Sequence, residues 1–238
     1  MLTHIRSESD LDAALAMLSE IEPRFGALVA EVGRPPLRRR PDGFAGLAAT
    51  VVSQQLSTAS AGAIWGRLAA AFEPFAPETL LRARAARLAR LGLSSPKIRA
   101  LKEIARAVTR GNLALAALAD IEADAAHAAL TAVHGIGPWT ADIYLLACLG
   151  HADAWPAGDL ALQEAARLAF GLAARPTAKE MIALAEPWRP VRAVAARVLW
   201  TYYRAVKGRD GAPVPTLPSP ASKRGKGKRM PKRGMNGR

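Results

Sequence analysis

The sequence predicts an all-α protein. Alanine and leucine dominate it, and apolar residues recur at spacings of three and four, as at Leu11, Leu15 and Leu18. This recurrence places apolar side chains on one face of a helix, whereas the alternation that is typical of half-buried strands is scarce. Segments rich in proline, chiefly 34–41 and 73–77, interrupt the pattern and separate the helices.

The periodic segments between these breaks predict twelve helices. Two further breaks help to place their ends: Gly92 stands shortly before Pro96, and Gly171 shortly before Pro176. The predicted bounds, in chain order, are Ser9–Ile21, Gly43–Ser53, Ser57–Phe72, Pro77–Ala83, Ala85–Arg90, Ser95–Val108, Asn112–Leu118, Glu122–Val133, Pro138–Leu149, Asp159–Phe170, Ala178–Glu186 and Pro190–Lys207.

Composition predicts a globular protein that needs no disulfide bond to be stable. Half of the 238 residues are apolar, which is enough for one core or two small lobes. Cys148 is the single cysteine, so the chain forms no internal disulfide and offers no set of four cysteines for zinc or an iron–sulfur cluster.

Neither a secretory signal nor a membrane span is expected. The charged residues Glu8, Asp10 and Asp12 follow the N-terminus in place of an apolar run, so a cytoplasmic location is the expectation. The uncharged segment 43–65 is long enough to raise the question of a membrane span, but the polar residues in its middle favour a buried helix.

The charge balance favours a polyanionic partner. The formal net charge is +13, and eight basic residues with no acidic ones follow Asp210; subtracting those eight leaves +5 on residues 1–210. Residues 208–238 have almost no large apolar side chain, so we predict a disordered basic tail. Such a tail either adds salt-sensitive affinity for DNA or only keeps the protein soluble. The Arg38–Arg40 run likewise either contacts phosphate or forms a solvated loop.

The segment Leu130–Asp142 predicts a helix, a tight turn through Gly135 and Gly137, and a second helix that begins at Pro138. Glycine permits positive φ and close backbone approach, and proline suits a first helical turn because its missing N–H is not needed there. Exposed backbone N–H groups at such a turn attract an anion. The segment therefore predicts a hairpin that grips phosphate, and a nucleic-acid backbone is the expected anion.

About twenty residues later, Trp155–Leu162 places Asp159 on a bend shaped by proline and glycine, just before an apolar helix. An aspartate there is an ordinary helix N-cap. The same position also allows its carboxylate to face a cleft.

The hairpin and the aspartate together resemble the helix-hairpin-helix DNA glycosylase superfamily, and most closely its DNA-3-methyladenine glycosylase II family. The resemblance extends from about Phe44 to Tyr203 and includes Val51–Ser57 and Leu91–Lys97. It implies two helical lobes with the active site in the cleft between them. The expected terminal lobe consists of 1–40 and 150–207, and the expected central lobe is 41–149 with the hairpin at about 123–149. It implies the short form, which lacks the N-terminal β domain of larger relatives.

The resemblance also implies roles for Asp159 and Trp139. A glycosylase takes a base out of the duplex and cleaves its glycosidic bond through a cationic sugar, which a carboxylate stabilises while it assists water. Asp159 is the candidate catalytic residue, and an alkylated purine, already cationic, leaves without a general acid. Trp139 occupies the place of the lysine that forms a Schiff base in bifunctional members, so no strand cleavage is expected. Trp139 lines the base pocket or only packs the second hairpin helix.

Further site residues follow from the same resemblance. Trp200 aligns with the tryptophan on which a flipped base stacks, since an indole face attracts a cationic ring, although a core position is its alternative. Arg192 either binds phosphate or braces the aspartate loop. Gln55 stands where relatives insert a side chain into the gap left by the flipped nucleotide, or it faces solvent as a helix-end residue. The best-known alkylpurine enzyme has leucine there, so the mode of insertion is open.

The hairpin is expected to bind DNA through the amides around Gly135 and Gly137, with His134 as a candidate phosphate contact. The resemblance also implies a structural Na⁺ or K⁺ held by the carbonyl groups of Thr131, Val133 and Ile136, since oxygen ligands suit hard cations. No other cofactor is expected.

The expected function is that of a monofunctional glycosylase, acting as a monomer, that removes alkylated purines such as 3-methyladenine and 7-methylguanine from damaged double-stranded DNA during base excision repair. A glycosylase for deaminated, oxidised or mismatched bases is one alternative. A noncatalytic helix-hairpin-helix protein that senses lesions is another, although such a protein would not need Asp159 in its loop.

Overall fold

The computed structural model describes residues 2–208 and consists of helices joined by short loops. Within these residues the only pairing of β type is an isolated bridge between His4 and His151, so the all-α prediction is confirmed. The α-helices are α1 Glu8–Ile21, α2 Pro23–Val32, α3 Gly43–Ser53, α4 Thr58–Ala71, α5 Pro77–Arg82, α6 Ala85–Arg90, α7 Ser95–Thr109, α8 Ala123–Thr131, α9 Pro138–Tyr144, α10 Leu160–Ala169, α11 Ala178–Ala185 and α12 Arg192–Lys207.

Local sequence signals explain where several helices begin. Ser7 accepts the backbone N–H of Asp10, whose side chain accepts the N–H of Ser7, and this reciprocal cap starts α1. Thr177 and Glu180 form the same arrangement at α11. Because each cap satisfies N–H groups that the helix leaves unpaired, these ends follow from sequence alone.

The structure differs from the prediction at three elements. Helix α2 was not predicted; it begins at Pro23, directly after α1 ends, and the side chain of Glu22 caps it. The segment 112–118 contains a short 3₁₀ helix, Leu115–Ala119, in place of an α-helix. The predicted helix Pro138–Leu149 is α-helical only to Tyr144, continues as a π-helical turn, Leu145–Leu149, and ends where Gly150 takes a left-handed conformation with φ of 81°.

The helices form two groups, one packed around α12 and the other around α3. Helix α12 packs against α1, α2 and α10, whereas α3 packs against α4, α7 and α9. The N-terminal segment joins the region before α10: the Ile5 N–H donates to the Gly150 carbonyl at 2.7 Å, and the Ala152 N–H donates to Thr3 at 2.9 Å. These bonds fix the start of the loop that leads to Asp159. The lobe boundaries at 40, 149 and 207 stay a prediction.

The Arg38–Arg40 loop differs from both predictions made for it. Arg40 is 3 % exposed and donates to the Thr50 hydroxyl at 3.1 Å, and Arg39 donates to the Cys148 carbonyl at 2.6 Å. Only Arg38 is exposed. Arg39 and Arg40 therefore hold the loop against α3 and the end of the π-helical turn.

In the part of the chain that the structure describes, every helix is too short or too polar to cross a bilayer. The predicted basic tail lies, from residue 209 onward, outside the described residues.

Candidate active site

The predicted hairpin is present, with one correction to its geometry. Helix α8 ends at Thr131, and α9 begins with Pro138 in its first position. Gly135 has φ of 98°, as the turn prediction required, but Gly137 has φ of −85° and serves as the extended N-cap of α9. The positive φ expected of both glycines is therefore found only at Gly135, which also lies against α7: a Cβ there would stand 2.8 Å from the Cα of Ala100.

The other hairpin residues lie along the same turn. His134 is exposed at its tip, and Thr131 ends α8. The Val133 carbonyl accepts the N–H of Ile136 at 3.0 Å and keeps a second lone pair. Closely spaced carbonyl oxygens in such a turn suit a monovalent cation, which would tie the turn together, and this site stays a prediction.

Asp159 has both of the properties that the sequence offered as alternatives. It caps α10, since its Oδ1 accepts the N–H of Leu162 at 2.9 Å. Its carboxylate also accepts two indole N–H groups: Trp139 Nε1 lies 2.9 Å from Oδ2, and Trp200 Nε1 lies 3.2 Å from Oδ1. Because Asp159 is only 6 % exposed and makes these three hydrogen bonds, its carboxylate has a fixed position and orientation. The cap and the two tryptophans together aim it.

A cavity of about 560 Å³ opens beside this carboxylate. This volume lies in the range of small-molecule sites. Three chain segments form it: the loop between α3 and α4, the start of α9, and the start of α10. The side chain of Trp139 forms part of the wall, whereas Trp200 reaches Asp159 from α12. The lining residues are Gln54, Gln55, Leu56, Gly137, Pro138, Trp139, Thr140, Gly158, Asp159, Leu160 and Ala161.

Gln55 projects from the loop at the rim of this cavity. It is exposed and has φ of 54°, a left-handed conformation that is uncommon for a residue with a side chain. Holding a residue there costs of order 1 kcal/mol, and such conformations cluster at functional sites. The structure thus presents Gln55 at the cavity mouth, and its insertion into DNA stays a prediction.

Sequence reasoning missed the residue that holds this loop in place. Lys97, at the start of α7, donates to the carbonyl groups of Val52 and Gln54, both at 2.8 Å. Burial lowers the pKa of its ammonium group. The Gln54 amide also donates to the hydroxyl of Thr140 in α9, which ties the loop to the hairpin. The signal was present, because Lys97 ends the segment Leu91–Lys97 on which the resemblance partly rests.

Replacing Lys97 with methionine should loosen the loop without removing a group from the cavity wall. Two carbonyl groups lose a charged donor, and a hydrogen bond of this kind is worth about 1.5–3 kcal/mol. We expect Lys97→Met to lower the free energy of unfolding by an amount near that range, measured by urea denaturation, and to increase protease cleavage at 54–57. Lys102→Met is the matched control, since Lys102 also donates to a backbone carbonyl, that of Ala83, but away from the loop. Equal cleavage at 54–57 in both variants would contradict the role of Lys97.

Arg192 braces the aspartate loop and is not placed to bind phosphate. It is 4 % exposed, and its guanidinium contacts the Asp153 carboxylate at 2.8 Å and that of Asp124 at 3.4 Å. It also donates to the Asp153 carbonyl at 2.9 Å. Arg189 pairs with the same two acids. Because its donors are directed at these groups inside the protein, the assignment of Arg192 as a DNA-binding residue is corrected to one that holds the start of the loop leading to Asp159.

One more carboxyl group lies close to Trp139. Asp142, in α9, is 8 % exposed, and its Oδ1 lies 3.6 Å from His127 Nε2. Burial raises the pKa of Asp142 well above the ordinary value for an aspartate, and Arg192 offsets only part of that rise.

The raised pKa of Asp142 predicts a pH-dependent stability. Between the ordinary aspartate pKa of about 4 and the higher folded value, the folded state binds more protons than the unfolded state. The free energy of unfolding should therefore fall as pH rises through that window. Asp142→Asn, which cannot ionise, should make the profile flatter and should increase stability most at its upper end, as urea denaturation at several pH values would measure. An unchanged slope would contradict the raised pKa.

Comparisons with known proteins agree with this geometry. Residues 48–190 match the family described as HhH-GPD superfamily base excision DNA repair protein. The chain is 28 % identical over 202 residues to the alkylbase DNA glycosidase-like protein mag2 of Schizosaccharomyces pombe. The aligned region covers 81 % of this chain and 94 % of mag2. It is 32 % identical to a probable bifunctional transcriptional activator/DNA repair enzyme AlkA of Mycobacterium tuberculosis, over 81 % of this chain and 40 % of that longer protein.

Among solved structures, the 3-methyladenine DNA glycosylase Mag1 of Schizosaccharomyces pombe in complex with abasic DNA superposes with a TM-score of 0.71 and 28 % identity. The superposition covers 82 % of this chain and 97 % of Mag1. The family match spans more than half of the chain and includes the hairpin, the Gln55 loop and Asp159. The chain is therefore a member of the HhH-GPD superfamily of base excision DNA repair proteins.

Proposed function

We propose that this protein is a monofunctional DNA glycosylase that removes alkylated purines from double-stranded DNA during base excision repair. The observation that carries the proposal is the Asp159 carboxylate, which two indole N–H groups fix at the wall of a cavity that the start of α9 and the Gln55 loop also line. The names of its relatives, which include alkylbase and 3-methyladenine glycosylases, support the substrate class.

The geometry suits cleavage through a cationic sugar. As the glycosidic bond breaks, positive charge develops on the deoxyribose ring. A carboxylate about 4 Å from such a charge stabilises it by about 4 kcal/mol at the effective dielectric constant typical of protein sites, which corresponds to roughly a thousandfold in rate. Asp159 is held by neighbours that need not rearrange during the reaction, and this preorganisation is what makes electrostatic stabilisation effective. A carboxylate oxygen not needed by the cap can also orient water.

The cavity wall explains why strand cleavage is not expected. A bifunctional enzyme needs an amine near the sugar to form a Schiff base. Among the described residues, no lysine lines the cavity. The resemblance implies that Trp139 occupies the position of that amine. Lys97, the lysine that supports the Gln55 loop, donates to two backbone carbonyl groups.

DNA binding is supported by charge near the hairpin. His134 at the turn lines a groove together with Arg106, near the end of α7, and Arg110, in the following turn. Arg106 is paired with Glu103 of the same groove, so among the described residues Arg110 supplies its unpaired positive charge. The net charge of +13 adds a general attraction for phosphate. We assign the backbone of the turn around Gly135 and Gly137, together with His134, to one DNA strand and Gln55 to the gap left by the extruded nucleotide.

The test is release of free bases from DNA treated with a methylating agent, followed by chromatography. We expect 3-methyladenine and 7-methylguanine in the soluble fraction, and abasic sites that yield strand breaks only after alkali. A parallel panel of duplexes carrying hypoxanthine, uracil or 8-oxoguanine tests the wider substrate range. Binding to these duplexes without release of any base would reject the enzyme and favour a lesion sensor.

A further inference from the structure

A second cavity, of about 700 Å³, lies on the side of Trp139 that faces α8 and α11. Pro138, Trp139 and Gly158 line both this cavity and the one beside Asp159, so the two share a wall. We refer to the second one as the rear cavity. It therefore lies next to the place where the proposed reaction separates a base from its sugar.

The rear cavity contains a carboxyl group that its protein neighbours do not satisfy. Asp142 lines it, is 8 % exposed, and makes, among the described residues, no hydrogen bond shorter than its 3.6 Å contact with His127. The two arginines nearby, Arg189 and Arg192, direct their donors at Asp124 and Asp153. Because its carboxyl group lines the cavity and is not used by the protein, a ligand in the cavity can form a hydrogen bond with Asp142.

The electrostatics favour an uncharged ligand. Burial raises the pKa of Asp142 and lowers the pKa of His127, which shifts both groups towards their neutral forms. A neutral carboxyl group donates through its O–H and accepts through its carbonyl oxygen. The imidazole of His127 has one ring nitrogen hydrogen-bonded to the backbone of Pro138, which leaves the other, 3.6 Å from Asp142, on the side of that carboxyl group. This set pairs with an edge that alternates donor and acceptor, such as the amidine edge of a purine.

The aromatic part of the wall favours a flat molecule. The rings of Trp139 and Trp155 contribute aromatic surface, and Ile182 of α11, which is 53 % exposed, stands at the rim. Planar heterocycles bind between such side chains, because aromatic surface is buried while the polar edge reaches the few polar groups.

We propose that the rear cavity is a binding site for a free purine base, in which Asp142 and His127 hold the polar edge of the base that the cleft has released. The inference rests on the proposed function only in naming the excised base as the natural ligand. It assigns to the protein a site for its product that is separate from the site of bond cleavage.

The test is titration of the full chain, without DNA, with adenine and with 3-methyladenine by isothermal calorimetry. We expect saturable binding with one site per chain. Ile182→Trp, which places a larger ring at the exposed rim, and Asp142→Leu, which removes the polar partner, should each weaken it at least tenfold. Leu160→Trp is the matched control, because Leu160 is also an exposed apolar residue, at 62 % against 53 % for Ile182, and it lines the cavity beside Asp159 and not the rear cavity. It should bind the free base as the unmodified protein does.

Absence of saturable binding to the unmodified protein would overturn the inference. So would binding that Leu160→Trp abolishes and Ile182→Trp leaves unchanged, since the base would then lie beside Asp159. The readout is independent of catalysis. If the protein binds adenine in this pattern but releases no base from alkylated DNA, the rear site is confirmed and the proposed function is wrong. A chain that releases alkylated bases and binds none of them free has the proposed function and lacks this site.

Discussion

Asp159→Asn should lower the rate of base release roughly 10²- to 10³-fold while DNA binding is retained. The amide can still accept the Leu162 N–H, so α10 keeps its cap, but the negative charge is lost. Its NH₂ group would also face the indole N–H of Trp139, and two donors cannot pair. The measurement is single-turnover release of 3-methyladenine, with circular dichroism and a gel-shift assay to show that folding and binding persist.

The matched control for this substitution is Glu164→Gln, which removes a carboxylate from the same helix. Glu164 pairs with Arg167 and Lys207 away from the cavity, and these contacts lower its pKa to about 2. Release should be unchanged in this variant. A similar loss in both variants would mean that the overall charge of α10, and not the placement of Asp159, determines the rate.

Gly135→Ala should disrupt the hairpin, whereas Gly137→Ala should be tolerated by the fold. At Gly135, φ is 98° and the new Cβ would meet Ala100 at 2.7 Å, so both the backbone and α7 oppose it. Strain of this kind costs about 1–3 kcal/mol. Gly137 has φ of −85°, and a Cβ there meets no atom within 4 Å. We expect a lower melting temperature and weaker DNA binding only for Gly135→Ala.

The measurements for this pair are thermal unfolding and DNA affinity at two salt concentrations. If Gly137→Ala also weakens DNA binding while its melting temperature is unchanged, the backbone at that position approaches the phosphate closely, as the resemblance implies. Equal melting temperatures for both variants and the unmodified protein would contradict the strained geometry at Gly135.

Local signals allowed much of the fold and the centre of the site to be predicted. Caps, prolines and apolar periodicity are properties of a few adjacent residues. The start of α9 at Pro138 and the N-cap of α10 at Asp159 could therefore be predicted from sequence. Asp159 combines the two interpretations, cap and cleft carboxylate. Its two oxygens serve both purposes, because Oδ1 faces the helix and Oδ2 faces Trp139.

The features that sequence did not reveal depend on contacts between distant segments. Arg192 has acidic partners at 124 and 153, and Lys97 has carbonyl partners at 52 and 54, so neither role can be identified before the chain is folded. The interior position of Arg40 has the same cause: three consecutive arginines usually indicate solvent exposure, yet this one contacts Thr50 of α3. Helix α2 was missed because no polar linker separates it from α1.

The most direct test of the central claim, that Asp159 stands beside the sugar of an extruded nucleotide, is the affinity for two duplexes. One carries a cationic pyrrolidine analogue of the sugar, and the other carries its neutral tetrahydrofuran counterpart. A site complementary to a developing cation binds the charged analogue more tightly, by at least about 100-fold for typical transition-state analogues. We predict this preference for the unmodified protein and its loss in Asp159→Asn, with the affinity for the neutral duplex unchanged. An equal preference in both proteins would contradict the claim.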